Sequence, residues 1–146
     1  AVSTTQTHDL GSIIQAHDST YLTGEFIYLK GVASTIVGSF VTYDMDAGTT
    51  ALLVANAKDP VGLAMSICVA GSFGWYQISG KGVGKVFASF ADNAACYATA
   101  TAGSVDDAVV AGDRVHNAKG ASAIDTPTAG FAEITLNRPH VDDIAD

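Results

Sequence analysis

The chain has 146 residues, with 15 Asp plus Glu against 7 Lys plus Arg and a formal charge of −8. Its basic residues are scattered, only Lys81 and Lys85 lying close together, so the clustered cations that bind nucleic-acid phosphates are missing. Hydrophobic residues make up 48%, yet no apolar run approaches the roughly 20 residues that cross a bilayer as a helix. No basic segment leads into an apolar one as in a secretory leader. The expectation is one domain with neither nucleic acid nor membrane as partner.

Residues 1–20 (AVSTTQTHDLGSIIQAHDST) are polar, rich in Ser and Thr, with one apolar island at Ile13 and Ile14. Such a segment reads as an extended arm that is ordered only against something else, and the arm is placed at 1–23. From Gly24 the texture changes. GEFIYLKGV supplies aromatic and β-branched residues, with Phe26, Tyr28 and Val32 on one face. Gly38 opens SFVTYD, which the turn-forming Asp44-Met-Asp46-Ala-Gly48 closes. TALLVA (50–55) is the next strand, and Pro60 makes AKDP a turn by disfavouring helix at Asp59.

In VGLAMSICV (61–69), the large residues Val61, Leu63, Met65, Ile67 and Val69 alternate with the small residues Gly62, Ala64, Ser66 and Cys68. That alternation predicts a strand buried on its large side, with room on its small side for a close neighbour, either another sheet or another subunit. AGS (70–72) turns the chain and FGWYQIS returns it, making a β-hairpin. GKG (80–82) is expected to turn again into VGKVFAS (83–89). Beyond Phe90 the chain is alanine-rich without a sustained helical stripe, and Gly103, Gly112 and Gly120 cut it into strand-length pieces. Val109, Val110 and Val115 favour strands there over a short helix at 105–111. TAGFAEITLN (128–137) is the terminal strand, with Ala132, Ile134 and Leu136 on one side, and RPHVDDIAD an acidic tail over 138–146. Short strands at about ten-residue spacing with Gly-rich turns argue for an all-β fold. The domain over 24–137 is read as a single small β-barrel or β-sandwich.

Motifs that would carry chemistry are few. His8, His17, His116 and His140 stand in no metal-binding spacing, although His8-Asp9 and His17-Asp18 repeat a His-Asp pair. Asp44-x-Asp46-x-Gly48 opens like a calcium loop but lacks its closing acidic ligand. Gly80-Lys-Gly-Val-Gly-Lys85 lacks the Ser or Thr and the following helix of a phosphate loop. GxSxG does not occur, and Cys68 and Cys96 sit in apolar runs, as buried free thiols do. Asp106-Asp107 and Asp142-Asp143 are acidic pairs with no base beside them. No catalytic, metal or cofactor residue is assigned, and the chain is read as a non-enzyme. Ile13, Ile14, Phe73, Trp75 and Tyr76 are the candidate interface residues, as apolar side chains on an arm and an apolar hairpin. An alternative uses Trp75, Tyr76 and Tyr97 as an aromatic platform for carbohydrate or a receptor. A further one is an enzyme whose site forms only between subunits.

The motifs Gly-x-Phe-x-Tyr-x-Lys (Gly24 to Lys30), Gly-x-x-Val-x-Tyr-Asp (Gly38 to Asp44), Val-Gly-Leu-Ala (61–64) and Ala-Gly-x-x-Gly-Trp-x-Gln-Ile-x-Gly (Ala70 to Gly80) follow one another in order. In this the chain resembles the capsid decoration, or cement, proteins and minor head proteins of tailed bacteriophages. The resemblance implies a β-barrel or β-tulip domain that oligomerises, often as a trimer, on the capsid exterior after assembly in the host cytoplasm. It implies the major capsid protein and further copies of the chain as partners, and neither catalysis nor a cofactor. The alanine-rich stretch from Ala91 to Ala121 departs from that pattern. The charge of −8 suits a face turned to solvent rather than to packaged DNA.

Overall fold

The computed structural model describes residues 2–145. Ten strands run in chain order as β1 (Ile13–Asp18), β2 (Leu22–Lys30), β3 (Phe40–Tyr43), β4 (Thr50–Leu52) and β5 (Val61–Ala64), then β6 (Phe73–Lys85), β7 (Ala95–Ala98), β8 (Val105–Asp106), β9 (Arg114–Gly120) and β10 (Phe131–His140). Among the described residues there is no helix, so none is long and apolar enough to cross a membrane. The strands form one curled antiparallel sheet, a half-barrel, in the order β4-β3-β5-β6-β10-β9-β7-β8, with β2 and then β1 attached to β6. The all-β reading therefore holds.

β6 organises everything else. Its first half, Phe73 to Ser79, pairs with β2, and its second half, Ser79 to Lys85, pairs with β10. Across its other edge Tyr76 and Gln77 meet Ala64 and Leu63 of β5, which makes the hairpin expected there. The GKG segment lies inside this strand and is not a turn. Its glycines have packing reasons instead. A Cβ on Gly84 would come within 2.5 Å of the Phe40 ring, and one on Gly82 would collide with the Gln77 side chain. Gln77 is itself buried and donates from Nε2 to the carbonyls of Ser79 and Lys81, both at 3.1 Å. Glycine here lets neighbouring side chains close over the backbone.

Because side chains alternate along a strand, the curled sheet buries two faces. The inner core holds Phe40, Leu63, Ile134, Leu136, Val115, Cys96 and Val105, with Val86 and Phe90. The outer core holds Val41, Tyr43 and Ala64 against Ile27, Leu29, Tyr76 and Ile78. Adjacent residues thus part company: Phe40 faces inward and Val41 outward, Leu63 inward and Ala64 outward. The open side of the half-barrel is bridged by backbone bonds, Phe40 N to Gly103 O and Gly103 N to Leu53 O, each 2.9 Å, and Ala55 N to Thr99 O at 3.1 Å.

Other expectations change. The large-face burial of 61–69 ends at Leu63: Met65, Ile67 and Val69 are 43%, 59% and 38% exposed, and Cys68 is buried instead, in the outer core. Pairing with β6 stops at Ala64, and the next residues bond to the end of β2, Val32 N to Cys68 O at 3.2 Å and Gly31 N to Ser72 O at 2.8 Å. On the small side a Cβ on Gly62 would lie 3.4 Å from that of Tyr76, which stands on the strand paired beside β5, so this close contact comes from within the sheet and not from a second sheet. Val109 and Val110 lie outside the strands, in an exposed connection before β9. In the amino-terminal segment, β1 pairs with β2 from Ile13↔Ile27 to Asp18↔Leu22, and Ser3 bonds to Phe73. At the other end β10 continues past Asn137 to His140, and Val141 is buried in the inner core.

Candidate functional site

Exposed apolar side chains gather round a groove of about 230 Å³ between the β1–β2 turn and β6. Leu22, Phe26, Val37 and Met65 supply its apolar wall, and Asp18, Gln77 and Lys81 its polar edge. Leu22, Val37 and Met65 are 67%, 51% and 43% exposed. The turn explains why Leu22 stands out. The Asp18 carboxylate accepts from Thr20 N at 2.7 Å and Tyr21 N at 2.9 Å, which holds its pKa below the ordinary carboxylate value. Leu22 follows with φ of 68°, a left-handed conformation that a leucine rarely adopts.

The polar edge is satisfied within the chain. Tyr21 donates its hydroxyl to Glu133 Oε2 at 2.9 Å, and Lys81 Nζ lies 3.0 Å from Glu133 Oε1 and 5.4 Å from the Tyr21 ring centre. Lys81 and then Tyr21 lower the Glu133 pKa by stabilising its charge, while burial and the same carboxylate raise that of Tyr21. Nearby, Arg138 clasps Glu25 with Nε to Oε1 at 3.3 Å and Nη2 to Oε2 at 3.2 Å, joining β10 to β2. With Lys81 held by Glu133, the groove offers chiefly an apolar surface suited to a partner side chain.

The candidate interface residues fall in three places. Ile13 and Ile14 lie on β1, whose six residues are all exposed and which among the described residues pairs only with β2. Phe73 and Trp75 are half-buried and join an aromatic cluster beneath the amino-terminal segment. There the Tyr28 ring lies 5.1 Å from Trp75 and 6.4 Å from Phe73, and His8 lies 5.1 Å from both Tyr28 and Trp75. Thr7 N donates to Tyr28 Oη at 3.1 Å, so the segment is tied down by a polar bond as well. Tyr76 points to the opposite face and is fully buried, so Trp75 and Tyr76 do not form one platform. Burial first, and then the Cys68 thiol beside the Tyr76 hydroxyl, raise its pKa far above the ordinary phenol value, with Thr50 opposing them; none of these contacts reaches full hydrogen-bonding geometry. Tyr97 sits apart on β7, pairing with Arg114 of β9.

The remaining motifs take structural places. Asp44 closes its turn by accepting from Asp46 N at 2.8 Å and Ala47 N at 3.3 Å. The Asp107 carboxylate accepts from Ala91 N at 3.0 Å. Cys68 lies in the outer core and Cys96 in the inner one, where burial pushes the Cys96 thiol up to about 12, far from a nucleophile's value. The sequence reading missed the aromatic cluster as a unit, because His8 and Tyr28 reach Trp75 only through the pairing of β2 with β6. It also missed that His116 and His140 meet. No protein-family model, curated protein or solved structure matches the chain.

Proposed function

We propose that this chain is a non-enzymatic structural subunit, a capsid decoration or cement protein that self-associates, as a trimer, and binds the major capsid lattice from outside. The observation that carries the assembly reading is the convergence of Leu22, Val37 and Met65, all exposed, on one apolar groove. Exposed side chains of this size gathered round a concavity are the surface that association covers. The edge strand β1, carrying Ile13 and Ile14 outward, supports the same reading. Its outer backbone edge, unpaired among the described residues, is one on which a neighbouring subunit could add a strand. The capsid as the partner rests on the ordered motifs between Gly24 and Gly80.

The test is native mass spectrometry with light scattering over rising concentration. A trimer is expected, reverting to monomer in the double variant Val37→Asp, Met65→Asp with unchanged circular dichroism. A wild-type chain that stays monomeric at the highest concentrations sinks the assembly reading. For the partner, co-sedimentation with tailed-phage heads stripped of their decoration protein is expected and should weaken in Ile14→Asp. Oligomers that never bind such heads would leave an assembly protein and discard the capsid.

A further inference from the structure

We infer that His116, His140 and Asp142 form a binding site for a divalent transition metal of the Zn²⁺ class. The ligand atoms these three side chains offer all lie within 4.8 Å of one another. His116 and His140 face each other across β9 and β10, ring centres 5.0 Å apart and planes 20° from parallel. Asp142 follows two residues after His140, and its Oδ1 lies 3.7 Å from His116 Nε2. Two imidazoles and one carboxylate are a donor set that suits zinc and its neighbours in the first transition series.

The ladder is built irregularly to make this pairing. Leu136 pairs with Ala118, and that register continued would set His140 opposite Arg114, a fixed cation that would repel a metal ion. A bulge between Leu136 and His140 sets His140 opposite His116 instead. Asn117 and Arg138 flank the irregularity with φ of 63° and 48°, left-handed conformations that cost free energy in non-glycine residues. A bulge that re-aims side chains at such a cost is how strands assemble sites.

The distances suit closure on an ion. Metal bonds of about 2.0–2.2 Å to His and Asp place tetrahedral ligand atoms roughly 3.4 Å apart. His116 and Asp142 are near that spacing already, and His140, being exposed, is free to swing in. Lys58 pairs at 4.0 Å with Asp143, the residue after Asp142. Three protein ligands leave a coordination position for water or for a donor from another molecule. Bound there, the ion would fasten the end of β10, and the buried Val141 beyond it, to β9.

The experiment uses the full chain stripped with EDTA and titrated with Zn²⁺ by calorimetry near neutral pH, with Co²⁺ as a spectroscopic probe. One ion per chain is expected, with visible Co²⁺ bands and a melting temperature that rises with Zn²⁺, as for any ligand that binds only the folded state. His140→Ala and Asp142→Asn should each weaken binding at least about tenfold, while His17→Ala on β1 should bind like wild type. Absence of stoichiometric Zn²⁺ binding by the wild type overturns the proposal. So does wild-type affinity in either His140→Ala or Asp142→Asn, each checked for folding by circular dichroism.

Discussion

The two cores of this protein are built on opposite faces of the same strands, yet they differ in kind. The inner core is aliphatic, with Phe40 and Phe90 as its large rings, and nearly all its members are inaccessible. The outer core is smaller and carries two phenols, Tyr43 and Tyr76, under a cover made by β2 and the first half of β6. Beyond that cover the exposed apolar side chains begin, on β1, on Leu22 and on Met65. A barrel interior can be filled by dispersion and burial alone. The outer layer must also present surface, and it does so with edge backbone, ion pairs and a groove. Under the proposed function, the inner core carries stability and the outer layer recognition.

That division can be broken most sharply at Phe40. It is fully buried, and Gly84 leaves room for its ring. Phe40→Ala should destabilise the protein by about 3–5 kcal/mol, read by urea denaturation with an unchanged slope. A loss below about 1 kcal/mol would show that the inner core is not the main source of stability.

At the periphery the expected effects are smaller and depend on pH. Glu133 is held below its ordinary value of 4.5 by Lys81 and Tyr21. A carboxyl depressed in the folded state contributes stability that is fully present above its unfolded value and is lost as the pH falls through the folded one. The pair is partly exposed, so Glu133→Gln should cost about 0.2–1 kcal/mol near neutrality. The difference from wild type should shrink as the pH drops below 4.5. Equal stability curves across that range would remove the ion pair from the account.

The smallest effect is expected inside the outer core. Tyr76→Phe removes a buried hydroxyl whose neighbours, the Cys68 thiol and Thr50, make no bond of full geometry with it, so stability should change by less than about 1 kcal/mol. A clear destabilisation would show that the hydroxyl makes a bond in solution and that the outer core is more polar than its geometry indicates.

Most strands were legible because their signal is local. The β-branched and aromatic runs at 26–30, 40–43 and 73–79 are strands, and Asp44 and Pro60 mark the breaks between them. Alternation misled at 65–69, where the chain leaves β6 to bond with the end of β2, a choice made by distant backbone. Glycines at 80–84 looked like a turn or a phosphate loop because a sequence does not show which side chain needs the vacant space. Of the candidate sites, Phe73 and Trp75 stood out as aromatic residues, but their contacts with Tyr28 and His8 come from pairing across the sheet.

By itself, then, the sequence determined the all-β class, most strand positions and several of the turns, since propensity, alternation and turn chemistry act over a few residues. Only the tertiary structure decided which faces are buried, which glycines make room for rings and which apolar residues remain outside. It alone joined His116 to His140 across a bulge, for the register of two strands belongs to neither segment separately.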